Sequence, residues 1–174
     1  MKKAALLFAF VLLFATTGYS QFSVTAGGGV SLPMGDLKNF SNTGFNFSGA
    51  LNYALESAPV EISVTGGFTQ FPVKANTSFN TRYVTVFGGV TYLFKMKGSM
   101  FTPYVAGRLG MGFASTNVPN VGSSSAFAWS PQVGFRYGFS PTVALDINTY
   151  YFSASKNGTV NWLGIQGGIN IGFN

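Results

Sequence analysis

Most enzymatic chemistry needs a group that titrates near neutrality, an activated nucleophile or a cluster of metal ligands. This chain has no His and no Cys. The commonest general base and metal ligand is therefore missing, and so are thiolate metal sites and disulfide staples. Serine without a neighbouring base is a weak nucleophile. Gly107-Arg-Leu-Gly-Met-Gly112 has the wrong spacing for a phosphate cradle and opens no helix. Asn46-Phe-Ser48, Asn76-Thr-Ser78 and Asn157-Gly-Thr159 match a glycosylation triplet by chance, the first inside a strand pattern. No catalytic, cofactor-binding or metal-binding constellation emerges, and the expectation is a non-enzyme without cofactors.

What remains, apart from Arg82 at the very start of one run, is four charges inside strand-like stretches: Glu61, Arg108, Arg136 and Asp146. Two chemistries are open to them. In an open lumen they would gate or bind ions. In a filled one they would form a lumenal charge network with a structural role, because an unpaired buried charge is expensive. Which applies depends on the elements that carry them.

Those elements are strands. Only 8% of residues are charged, against about 25% in an ordinary soluble domain. Aromatics reach 17%, and no long stretch repeats at the helical period. Eight runs alternate with a period of two: Phe22–Leu32, Gly44–Leu55, Val60–Phe71, Arg82–Phe94, Phe101–Ala114, Ala126–Phe139, Thr142–Ser153 and Val160–Phe173. The last shows the pattern most cleanly, with Leu163, Ile165, Gly167, Ile169, Ile171 and Phe173 on one face. The fourth is mixed, since Tyr83, Phe87 and Leu93 share a face with polar residues. Each run can cross a bilayer when tilted, which takes about 9–11 residues.

Connections alternate in length. Glu56–Pro59, Lys95–Met100 and Ser140–Pro141 are short; Pro33–Thr43, Pro72–Thr81 and Ser115–Ser125 are longer; Ala154–Thr159 carries the hairpin pair Asn157-Gly158. Short turns on one side and longer loops on the other characterise outer-membrane barrels, with the short side in the periplasm. Aromatics gather at both strand ends. Phe22, Tyr53, Tyr92, Phe94, Tyr137, Phe139 and Phe173 lie on the short-turn side; Phe45, Phe47, Phe68, Phe113, Phe127, Trp129 and Tyr151 lie on the other. Rings at the two headgroup levels form girdles.

Ahead of the strands, Met1–Ser20 reads as a cleavable secretory signal peptide. Lys2 and Lys3 lead, Ala4–Ala15 is apolar, and the small Gly18 and Ser20 precede a cut before Gln21. The apolar run is shorter than the roughly 20 residues of a spanning helix. Residues 21–174 then form one barrel domain. The formal charge of +6 includes Lys2 and Lys3, and the remaining excess is spread singly, so nucleic acid is not an expected partner.

With its apolar faces toward lipid, the chain would line its lumen with residues such as Asn46, Asn52, Ser63, Thr65, Tyr104, Gln132, Asn148, Gln166 and Asn170. All four of these interior charges fall on that face. A one-residue slip would turn an Arg into lipid at about 2–4 kcal/mol near mid-bilayer. Eight strands enclose a space that side chains fill.

On these residues, Phe22–Phe173 resembles the small eight-stranded outer-membrane barrels of the OmpX and OmpA-transmembrane-domain type. The end Ile169-Asn-Ile-Gly-Phe-Asn174 is similar to the strand signal read by the barrel-assembly machinery, carried by Ile169, Ile171 and Phe173; in that family the aromatic is usually last, and here Asn174 follows it. Gly27–Asp36 is similar to first strands of such proteins. The resemblance implies an all-β, antiparallel, up-and-down transmembrane barrel in the bacterial outer membrane. Its partners would be outer-membrane lipid and, during biogenesis, the assembly machinery. The expected function is structural or surface-interacting through extracellular loops. The alternatives are a small passive channel for ions or small solutes and a soluble, lipocalin-like carrier. The carrier would need a charged exterior that four strand charges cannot supply.

Overall fold

The computed structural model describes residues 21–96, 98–117, 122–155 and 158–173. The expected signal peptide, Asn157 of the hairpin pair and Asn174 lie outside the described residues. The strands are β1 (Phe22–Met34), β2 (Gly44–Ala54), β3 (Val60–Pro72), β4 (Asn80–Leu93), β5 (Phe101–Thr116), β6 (Ser124–Gly138), β7 (Val143–Ser155) and β8 (Thr159–Gly172). Each pairs antiparallel with its sequence neighbours, and β8 pairs with β1 to close the barrel. This is the expected up-and-down architecture.

The differences are at the rim opposite the short turns. There β1, β4, β5, β6 and β7 run further than the alternation indicates, reaching Met34, Asn80, Thr116, Ser124 and Ser155. Polar Ser, Thr and Asn carry no hydrophobic alternation, yet they continue the ladder in Thr81↔Thr116, Phe113↔Ser125 and Phe127↔Ser155. The connections shrink accordingly, to 35–43 after β1 and 73–79 after β3. The first contains an unanticipated helical turn, α1 (Leu37–Phe40). It is docked on the β3–β4 connection by Ser41↔Val73 and by the Lys74 N–H, which donates to the Phe40 carbonyl at 2.8 Å.

The period of two becomes an inside and an outside. Val64, Leu109 and Val90 are 62%, 60% and 54% exposed on the outer wall, whereas Glu61 and Asp146 are 6% and 2% exposed within. An apolar outer wall of this kind suits hydrocarbon and not water. The expected girdle rings lie on that wall in pairs. Phe22–Tyr53, Tyr92–Phe94 and Tyr137–Phe139 have centroids 4.9, 5.0 and 5.6 Å apart at the short-turn end. Phe45–Phe47 and Trp129–Tyr151, at 5.7 and 5.6 Å, lie at the other. Between the girdles the outward aliphatic residues are interrupted by glycines: Gly28, Gly49, Gly66, Gly88, Gly107 and Gly167.

The β1–β8 seam is sewn from inside as well as along the backbone. Ser23 and Thr25 of β1 accept from Asn52 of β2 at 3.2 and 3.0 Å, and from Asn170 of β8 at 3.0 and 2.8 Å. Higher up, Asn46 of β2 and Gln166 of β8 both face Gly29 in the register. With no side chain between them, the Gln166 amide donates to Asn46 Oδ1 at 2.7 Å, across a strand. A Cβ on Gly29 would lie 1.9 Å from the Ile165 carbonyl oxygen. That obstacle is backbone and cannot rotate away.

Gly29→Ala should therefore destabilise the barrel by about 1–3 kcal/mol, the usual cost of overpacking. Gly107→Ala, with nothing within 4 Å of its added carbon, should stay within about 0.5 kcal/mol of wild type. Urea unfolding in lipid or detergent checks both.

Candidate functional site

The lumen gathers the chemistry-bearing side chains. The tight β6–β7 connection sets the register: the Phe139 N–H donates to the Val143 carbonyl, and Ser140 Oγ accepts from the Val143 N–H at 3.0 Å. Arg136 and Asp146 thereby become direct cross-strand partners on the inward face. Arg136 Nε donates to Asp146 Oδ2 at 3.2 Å, and its Nη1 crosses the interior to Glu61 Oε1 on β3 at 2.8 Å. One guanidinium thus ties three strands.

Asp146 is held from its other side too. Tyr104 Oη and Asn148 Nδ2 both donate to Asp146 Oδ1 at 2.9 Å, and Gln132 Nε2 donates to Tyr104 Oη at 2.9 Å. Tyr104 belongs to β5 and reaches β7 by lying across Gly134 of β6, where a Cβ would meet its ring at 2.7 Å. The Arg136 Cζ stands 5.5 Å from the centre of that ring, within cation–π range.

Arg108 does not join the expected four-membered network. Among the described residues it forms no ion pair. It lies further up β5, between Gly89 and Ser130 in the register, with its stem over Gly89. Its Nε is buried without a hydrogen-bond partner, as are Thr65 Oγ1, Gln132 Oε1 and Asn148 Oδ1. All four residues line a cavity of about 20 Å³, room for about one water.

Above Arg108 the lumen turns aromatic, where the sequence pattern indicated a polar lining. Phe152 and Trp162 stack at 3.6 Å and 11°, with Phe71 and Tyr83 packed on Trp162 at 5.5 and 4.9 Å and Phe87 on Phe152 at 6.1 Å. Leu37 of α1 packs against this group. Trp162 is 1% exposed. These rings occupy inward positions of the same alternation, so parity could have found them. The sequence reading places Tyr83 and Phe87 on the polar face and gives Phe71, Phe152 and Trp162 no role.

The lumen is consequently asymmetric. A recess of about 550 Å³ opens at the short-turn end, with Glu61 and Arg136 among its walls. Beyond the ion pairs, below the aromatic stack, lie small cavities of about 20 and 30 Å³. Among the described residues no cluster of His, Cys, Asp or Glu could hold a metal ion.

Asp146→Ala would strip Arg136 of one carboxylate and leave the Tyr104 hydroxyl without its acceptor. A loss of about 3–5 kcal/mol is expected for breaking such a buried pair. Asp146→Asn should cost less, since the amide oxygen still accepts. A double-mutant cycle between positions 136 and 146, read by urea unfolding, should give clear coupling; additive losses would show that the pair contributes nothing.

No family model matches the chain, and no curated protein matches it. Solved structures do. Neisserial surface protein A superposes with a TM-score of 0.73 at 21% identity, covering 89% of this chain and 99% of that one. The N-terminal β-barrel domain of Pseudomonas aeruginosa OprF gives 0.58 at 13% identity, over 89% of this chain and 100% of that one. Ail, the attachment invasion locus protein of Yersinia pestis, solved with the heparin analogue sucrose octasulfate, gives 0.53 at 15% identity, over 88% of this chain and 100% of that one. The chain has the fold of the small eight-stranded outer-membrane β-barrels.

Proposed function

We propose that the protein is a non-enzymatic barrel of the bacterial outer membrane that acts structurally or through contacts made by its extracellular rim. The observation that carries this is the two-sided wall: apolar and girdled by aromatics outside, packed inside. A carrier would need an apolar interior cavity, and a channel a continuous wet path. The aromatic stack around Trp162 stands across that path. Neisserial surface protein A and Ail share the fold, and the name of the second records attachment and invasion. For this chain the corresponding surface is the rim built by the extended strands and α1. The lumenal group of Glu61, Arg136 and Asp146 has a structural role in this reading, with Arg108 as a separate lumenal cation.

Biogenesis follows from the same wall. Ile169 and Ile171 face outward on β8, and the Phe173 N–H donates to the Phe22 carbonyl at 3.1 Å, so the end of the chain completes the seam. Without it both edges would stand open in an apolar medium. Ile169, Ile171 and Phe173 are the residues on which the assembly machinery would act.

The protein should fractionate with outer membranes and migrate differently in SDS before and after boiling; recovery in the soluble periplasm with a single mobility would overturn the proposal. Deleting Ile169–Asn174 should abolish folded protein in cells rather than reduce its stability slightly. In planar bilayers the purified barrel should be silent, and reproducible open-state conductance would favour a channel.

A further inference from the structure

The charges of the lumen balance in number but not in place. Glu61 and Asp146 are both bonded to Arg136. The other acidic residues of the chain, Asp36 and Glu56, are exposed in connections between strands. Arg108 therefore has no carboxylate in contact, and its Nε is buried without a hydrogen-bond partner. The positive excess is local to Arg108.

A second donor shares its surroundings. Trp162 Nε1 is also buried and unpartnered. A guanidinium and an indole N–H can only donate, so neither can satisfy the other. Thr65 Oγ1 is a third buried atom without a partner. These residues come from β5, β8 and β3, and all three line one cavity of about 30 Å³.

The chemistry of that cavity is one-sided. Among the described residues, Arg108 is the one charged side chain of its lining. The cavity of about 20 Å³ beside it also has Arg108 on its wall, but Arg136 and Asp146 line that one too. Gln166 offers the amide oxygen at this level, and it is already engaged: Oε1 accepts from Ser48 Oγ at 3.2 Å, while Nε2 donates to Asn46 Oδ1 at 2.7 Å. The hydroxyls of Thr69, Thr85, Ser130 and Tyr150 complete the polar wall, and each can donate.

Donors converging from three strands on a space of this size, with one uncompensated positive charge, fit a small anion. We propose that the upper lumen holds one monatomic anion of chloride size, which accepts from Arg108 and Trp162 and neutralises the guanidinium. A water would fill the same volume without carrying the charge. Sulfate and phosphate are too large for it. The anion ties β5 to β8 through the interior, beneath the aromatic stack that closes the lumen from outside.

The test follows the two N–H groups in nitrogen–proton correlation spectra of the folded barrel in a nonionic detergent. Sodium isethionate is replaced stepwise by sodium chloride at constant ionic strength. Each sample is refolded at its own chloride concentration, so that occlusion does not limit access. The Trp162 Nε1–H and Arg108 Nε–H resonances should move together and saturate with one dissociation constant. Trp129 on the outer wall and Arg82 at the rim serve as controls and should stay still. Trp162→Phe keeps a ring in the stack and removes the donor. Its Arg108 resonance should titrate with at least about tenfold weaker affinity, as for one lost hydrogen bond to a charged acceptor. In Arg108→Gln the Trp162 resonance should no longer respond. Wild-type resonances of Trp162 and Arg108 that ignore chloride would overturn the proposal in favour of an occluded water, whether or not the variants fold. An equal response of Trp129 would overturn it as a bulk salt effect. Undiminished chloride affinity in either variant would also overturn it.

Discussion

The β1–β8 pairing is the contact on which the whole structure depends. A strand in hydrocarbon cannot leave its N–H and C=O groups unpaired, so an open sheet has no stable form there and only closure satisfies both edges. Pairing runs from Ser23↔Gly172 to Met34↔Asn161, nearly the full length of both strands. The lumenal bonds from Asn52 and Asn170 to Ser23 and Thr25 bind β1 to both neighbours at once. Since β1 and β8 are furthest apart in sequence, this is also the contact with the greatest loop-closure cost. Redundant side-chain bonding there is well placed to offset it.

Closure sets the interior problem. The enclosed space is narrow, and several long inward polar side chains lie where the neighbouring strand has no side chain. Tyr104 lies over Gly134, Arg108 over Gly89, and the Asn46–Gln166 bond over Gly29. The inward glycines are therefore not merely points of curvature. They are the complement of the long polar side chains, and they let those side chains bond to strands that are not adjacent. The interior network is organised across the barrel as much as around it.

The fold was legible because a membrane barrel writes its pattern on both faces. Alternation located each strand and put Arg136 and Asp146 on one face, and the short connection at Ser140-Pro141 makes them direct partners. The rim was less legible, because Thr81, Thr116, Ser124 and Ser155 continue a ladder with backbone bonds that leave no hydrophobic trace. The aromatic upper lumen was missed for a related reason. Phe71, Phe152 and Trp162 are apolar residues on the inner parity, and only the closed geometry shows that the inside also excludes water at that height. Arg108 was grouped with the other charges by face alone. Its level along β5 separates it from Glu61 and Asp146, and level across a barrel depends on the register of every intervening pair.

The two aromatic girdles, with an aliphatic band broken by glycines between them, fix the barrel's height. Lipid tails can approach the backbone closely at Gly49, Gly66, Gly88 and Gly107, while the rings above and below stand at the headgroups. Vertical displacement in either direction would drive one girdle into the acyl region and lift the other toward water. The barrel is thereby centred by its two rings of aromatics, without any charge having to anchor it, and the height at which it presents its rim to the outside is kept constant.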